Sequence, residues 1–264
     1  MEQDPKDDAA IEPQDAHEAA VEPFVARGLV TEVLYPIKSG KEATVYCCRA
    51  GPAEEAGGRG FLAAKVYRER RGRGFKNDAV YQEGRWHWAR NTRATRAFRN
   101  GSAFGREVQQ AAWVGYEWET LRALHAAGVD VPRPVASAGS AILMELFGTG
   151  DDEGTPAPML ATIRPESAGE AQAILDALYA SVERMLARNV IHGDLSAYNV
   201  LYAGGRFRII DLPQAVDPRF NPSSFELLAR DLRNVHAYCA RFGARADPEG
   251  RARELWRLFM EGRL

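Results

Sequence analysis

The chain predicts an α+β fold of two lobes: an antiparallel sheet with one helix in front, and a mostly helical half behind. Three observations carry this. The front half holds three runs rich in β-branched and aromatic residues, separated by glycine-bearing turns, and the third contains one lysine, Lys65. The rear half holds two Ser-x-x-Glu capping boxes, each ahead of apolar residues at helical spacing. Between those helices lies a polar cluster set in apolar flanks, His192-Gly193-Asp194-Leu195-Ser196-Ala197-Tyr198-Asn199, followed by Ile209-Ile210-Asp211.

In order along the chain, residues 1–22 contain eight acids and one lysine, which predicts a disordered or loosely helical acidic tail. Residues 23–147 read as the front lobe and residues 148–264 as the rear lobe. Residues 28–33 form a first strand, and Ile37-Lys38-Ser39-Gly40-Lys41 turns into a second over residues 43–48. A short loop of small residues lets backbone N–H groups approach phosphate, with Lys41 adding positive charge. The third strand, residues 61–67, carries Lys65, and a lysine among apolar neighbours requires an acidic partner. The amphipathic helix over residues 113–124 supplies one: Glu117 borders its apolar face, and Glu119 is the alternative.

Residues 68–106 hold eleven Lys/Arg against three acids, with Trp86, Trp88 and Phe98 interleaved, which reads as a flexible basic insertion. It solubilises the chain, or it grips an acidic partner such as RNA, a ribosomal particle or the acidic tail. Residues 141–148 make a buried strand ending at Gly148. In a two-lobed kinase this connector offers backbone around Glu145 and Phe147 to adenine, with Met144 lining the pocket. Ser167 opens a helix whose stripe is Ile174, Leu175, Leu178, Val182, Met185 and Leu186. Ser223 opens another, and Asp247-Pro248 starts the last.

The polar cluster has the composition that phosphoryl transfer needs. One carboxylate orients or deprotonates the acceptor hydroxyl, while an amide and a second carboxylate hold Mg²⁺. Asp194, Asn199 and Asp211 meet that description, because Gly204-Gly205 folds residues 199–203 back onto residues 206–210. His192 reads as a structural residue bonding backbone around the cleft.

Net charge is −2, which gives no overall case for nucleic acid or membrane binding. Cys47, Cys48 and Cys239 lack metal-ligand spacing, so a reduced cytoplasm fits best. No apolar run approaches a membrane span.

Six blocks in order resemble the RIO family of atypical protein kinases: Ser39-Gly40-Lys41-Glu42-Ala43-Thr44-Val45-Tyr46, Ala63-Ala64-Lys65-Val66-Tyr67, Phe75-Lys76, Pro156-Ala157-Pro158, the segment from His192 to Asn199, and Ile209-Ile210-Asp211-Leu212-Pro213-Gln214. The resemblance implies a protein-kinase-like fold and a serine/threonine kinase that uses ATP with Mg²⁺ or Mn²⁺ and autophosphorylates. It makes Asp194 the catalytic acid, Lys65 the phosphate-contacting lysine with Glu117 its partner, and Ser39, Gly40 and Lys41 the phosphate loop. Asn199 and Asp211 become metal ligands, and ATP hydrolysis through a phosphoaspartate on Asp211 becomes an option. The subgroup with a winged-helix domain is not expected. Two other readings stay open: a small-molecule phosphotransferase of aminoglycoside-kinase type, and an ATP-gated ribosome- or RNA-binding assembly factor.

Overall fold

The computed structural model describes residues 14–57, 60–68, 103–149 and 154–264. Five antiparallel strands form the front sheet in the order β1-β2-β3-β5-β4: β1 Val30–Ser39, β2 Ala43–Ala50, β3 Phe61–Tyr67, β4 Pro134–Ala138 and β5 Ala141–Glu145. Strand β1 is longer than the sequence suggests and runs through Pro36. An edge strand tolerates a proline because no second neighbour needs its N–H. Three irregularities in register against β2 bend it.

Helix α1, Gln14–Ala26, covers the outer face of this sheet. Its Val21 and Phe24 are buried with Tyr46, Cys48, Leu62, Ala64, Val66 and Leu143. The boundary drawn at residue 22 therefore falls inside an ordered helix. The acid count hid two apolar residues that anchor the helix, at i and i+3 on one face. Residues 1–13 of the expected tail, and residues 69–102 of the expected insertion, lie outside the described residues.

The inner face meets helix α2, Ala103–Ala126, and the rear lobe. In the rear lobe, helices α3 Ala168–Ala187, α4 Ser224–Ala240 and α5 Pro248–Met260 pack on one another. The expected α3 stripe is buried throughout, joined by Leu228, Leu232, Val235 and Cys239 of α4 and Leu255 of α5. Ser167 caps α3 by accepting from the Glu170 N–H at 3.1 Å, and Asp247 caps α5 through Gly250 N–H at 2.9 Å. The second capping box does not form. Ser223 makes no side-chain cap; instead Asn221 Oδ1 accepts the Ser223 N–H at 2.9 Å, and Ser224 donates its hydroxyl to the Asn221 carbonyl at 2.7 Å. A buried asparagine two residues upstream organises the turn instead of the serine.

At the rear of the cleft, β6 Val200–Ala203 and β7 Arg206–Ile209 form the expected hairpin. Gly148 ends the connector where the chain doubles back against Pro156, and an added Cβ there would sit 2.5 Å from the Thr155 carbonyl oxygen. All three cysteines are buried free thiols. Among the described residues, no helix is long and apolar enough to cross a membrane.

Candidate active site

Lys65 is the point where the lobes meet chemically. Its Nζ donates to Glu117 Oε1 of α2 and to Asp211 Oδ1, each at 2.8 Å. The Tyr67 hydroxyl donates to the other Glu117 oxygen, and Lys65 Nζ lies 5.2 Å from the Tyr67 ring centroid. Burial disfavours the ammonium, but the facing Glu117, Tyr67 and Asp211 outweigh it and hold the group well above the ordinary lysine range. For Asp211, burial pushes the carboxyl up, yet the Lys65 charge and hydrogen bond prevail and hold it below the usual carboxylate value. Helix packing decides between the two glutamates. Glu117 is buried, whereas Glu119 is solvent-exposed beside Arg122.

Asp211 has φ 69°, a left-handed conformation unusual for a residue with a side chain. That turn presents its carboxylate, half exposed, to the cleft beneath Lys65. The segment before it is tied to the polar cluster. His192 Nε2 meets the Ile210 carbonyl at 3.1 Å, and His192 Nδ1 accepts from the Asp194 N–H at 3.3 Å. Asn199 Nδ2 donates to the Asp194 carbonyl at 2.9 Å, and the Ile210 N–H bonds the Asn199 carbonyl at 2.9 Å. Lys65, Asp194, Asn199 and Asp211 thus belong to one connected group, with the Asp194 side chain in solvent.

A residue that sequence reasoning missed holds this loop from below. Asp231 of α4 is buried and accepts from the Gly193 N–H at 2.8 Å and the Leu195 N–H at 2.9 Å. Arg230 donates to the Gly193 carbonyl, and Asn234 Nδ2 donates to the Leu195 carbonyl at 3.0 Å. Burial pushes the Asp231 carboxyl up to about 6, against His192 and the two N–H groups that pull it down. An aspartate on the buried face of an amphipathic helix was the available signal.

The glycine loop closes through the Gly40 N–H to the Ala43 carbonyl at 2.9 Å. Gly40 has no positive φ, and a Cβ there would meet only the Ala43 carbonyl at 3.4 Å, so the turn itself does not demand glycine. Lys41 is exposed at the turn. The Ser39 hydroxyl accepts from Arg68 at 2.6 Å and lies 3.3 Å from Thr44 Oγ1. Thr44 pairs with Val66, which belongs to the same buried cluster as Val21 and Phe24 of α1. Ser39 therefore presents its side chain to the outer face, opposite Lys65.

In the connector, Met144 is partly buried against the main core. The Glu145 side chain accepts from the Arg133 N–H at 2.9 Å and from the Arg208 guanidinium twice at 3.2 Å. Phe147 is buried, with Arg208 stacked 4.9 Å from its centroid. The Glu145 N–H donates to the Arg133 carbonyl at 2.8 Å, and the Phe147 carbonyl accepts from Ala157 at 2.9 Å.

A sheet-and-helix front lobe whose lysine meets an acid from a helical rear lobe defines a phosphotransferase of protein-kinase-like architecture. A family model, the RIO domain, matches residues 44–250. The chain is 33% identical to the RIO-type serine/threonine-protein kinase Rio1 of Haloferax volcanii, over 88% of this chain and 72% of that protein. It is 27% identical to the human serine/threonine-protein kinase RIO1, over 83% of this chain but 35% of the human protein. Among solved structures, the Rio2 kinase–ADP/Mg²⁺–phosphoaspartate complex from Chaetomium thermophilum superposes with a TM-score of 0.65 at 19% identity. That alignment covers 92% of this chain and 66% of the other, and it speaks for the fold. The chain belongs to the RIO family, and it is a serine/threonine-protein kinase of RIO type. The aminoglycoside-type reading gives way to this match.

Proposed function

We propose that the cleft around Lys65 binds ATP with Mg²⁺ and transfers its terminal phosphoryl group to a serine hydroxyl, including one of the protein's own. The observation that carries this reading is the Lys65 ammonium, held at 2.8 Å by Glu117 from one lobe's helix and by Asp211 from the other lobe. Lys65 would release Asp211 in part and pair with the α- and β-phosphates, with Glu117 keeping it oriented. The backbone of the Ser39–Gly40–Lys41 loop would cover the phosphates. Adenine would meet the connector backbone between Glu145 and Phe147, beside Met144.

Asp194 orients the acceptor hydroxyl and takes its proton as the oxygen attacks the γ-phosphorus. The bond from that phosphorus to the β-bridging oxygen breaks, and ADP leaves. The donors suit a hard cation. Asn199 commits Nδ2 to the Asp194 carbonyl, which leaves the amide oxygen as ligand, and Asp211 adds a carboxylate. When bound, Mg²⁺ or Mn²⁺ neutralises charge on the β- and γ-phosphates. A second outcome uses the same parts: an Asp211 oxygen attacks the γ-phosphorus, ADP leaves, and water later hydrolyses the phosphoaspartate. The half-exposed carboxylate of Asp211 supports it.

The basic composition of residues 68–106 supports binding of RNA or a ribosomal particle, with nucleotide turnover as a timer. The three free thiols suit a reducing cytoplasm. The deciding experiment is incubation with γ-labelled ATP, followed by mapping of the label. Acid-stable label on serine supports the kinase. Acid-stable, hydroxylamine-labile label on Asp211 together with free phosphate supports hydrolysis. Absence of both refutes the site.

A further inference from the structure

A second lysine faces the same cleft. The register pairs Lys38 with Val45, and Val45 with Lys65. Directly paired residues in a sheet share a face, so Lys38 stands in one row with Lys65, two strands and roughly 10 Å away. The neighbouring Ser39 faces outward, as the alternation requires. From that row Lys38 Nζ reaches across to the rear lobe, 3.8 Å from Met159 Sδ. Met159 forms a bridge with Leu201, two residues beyond Asn199. The Lys38 charge also acts on Asp211, helping to hold its carboxyl down.

The two lysines differ in what surrounds them. Lys65 is balanced by two carboxylates, whereas Lys38 meets a thioether, which is a weak acceptor. Among the described residues Lys38 makes no ion pair. An exposed lysine in water is ordinary, but this one lies across the cleft toward the opposite lobe.

We propose that Lys38 is a second phosphate-binding residue: when ATP enters, its ammonium leaves the Met159 sulfur and pairs with the phosphate tail, flanking it from the side opposite Lys65. This rests on the ATP site proposed above. The exchange replaces a weak N–H···S contact with a charge-assisted bond to phosphate oxygen. Its loss predicts about tenfold weaker ATP binding, the scale of one hydrogen bond to a charged group.

The test is isothermal titration of ATP and adenosine into the wild-type chain, Lys38→Met and Lys38→Arg, with thermal melts to show that each variant folds. The expected result is about tenfold weaker ATP binding by Lys38→Met, with adenosine affinity unchanged and most of the ATP affinity retained by Lys38→Arg. Unchanged ATP binding by folded Lys38→Met overturns the proposal. So does an equal loss for adenosine, which would make Lys38 a tie between lobes. If the wild-type chain itself binds no ATP, the underlying site falls, and the Lys38 assignment with it.

Discussion

Replacing Asp231 with alanine tests how the segment from His192 to Asn199, proposed as catalytic, is held. The side chain is buried and accepts two backbone N–H groups, from Gly193 and Leu195, at 2.8 and 2.9 Å. Truncation removes the carboxylate that both buried donors bond, at about 1–3 kcal/mol for each bond lost, or about 2–6 kcal/mol together. For a chain of this size that corresponds to a fall in Tm of about 10 °C. Turnover should drop as well below the melting range, because the freed peptides flank Asp194. Circular dichroism melts and autophosphorylation rates at low temperature measure the two effects. A Tm lowered by less than about 2 °C, with unchanged turnover, would refute the positioning role. The same residue predicts a pH dependence. Its folded pKa is raised, from 3.8 to about 6, so folding takes up a proton. The stabilising contribution is complete below the unfolded pKa and is lost as pH rises through 6, a change of about 3 kcal/mol. Asp231→Asn should flatten that part of the stability profile, and a profile unchanged from wild type would count against the buried-acid account.

Three further outcomes follow from the site and the core. Asp194→Ala should lower turnover by roughly 10²–10⁴ while ATP still binds, as for loss of a general base; an unchanged rate would remove Asp194 from that role. Asp211→Asn should abolish metal-dependent phosphoryl transfer in a labelled-ATP assay, and retained activity would move the metal elsewhere. Phe24→Ala should cost about 3–5 kcal/mol in urea unfolding, since the ring is fully buried under the sheet; a loss under about 1 kcal/mol would mean that α1 is dispensable to the front lobe.

Much of this protein is legible in its sequence because local rules suffice there. The α3 stripe, the Ser167 and Asp247 caps, the β6–β7 glycine turn and the run from His192 to Asp211 depend on neighbours within a few residues. A lysine alone among apolar strand residues announces that an acid must come to it. Which acid comes is not local. Glu117 and Glu119 differ by two positions on one helix, and only the docking of α2 on the sheet buries one and leaves the other in water. Side-chain direction near the Ser39–Gly40–Lys41 turn is likewise set by the register of β1 on β2. Its irregularities at residues 33–38 place Lys38 in the Lys65 row and turn Ser39 outward. A shift of one residue would exchange their faces.

The order of elements, the helical stripes and the Lys65, Asp194, Asn199 and Asp211 set proposed as the site were legible in the sequence alone, through periodicity and the short reach of caps and turns. The tertiary structure decided what covers the sheet, which glutamate meets Lys65, how Asp231 grips a loop 36 residues earlier and which lysine faces the cleft. Those depend on surfaces brought together across long sequence separations, where the gain comes from packing and paired charges that no local window contains.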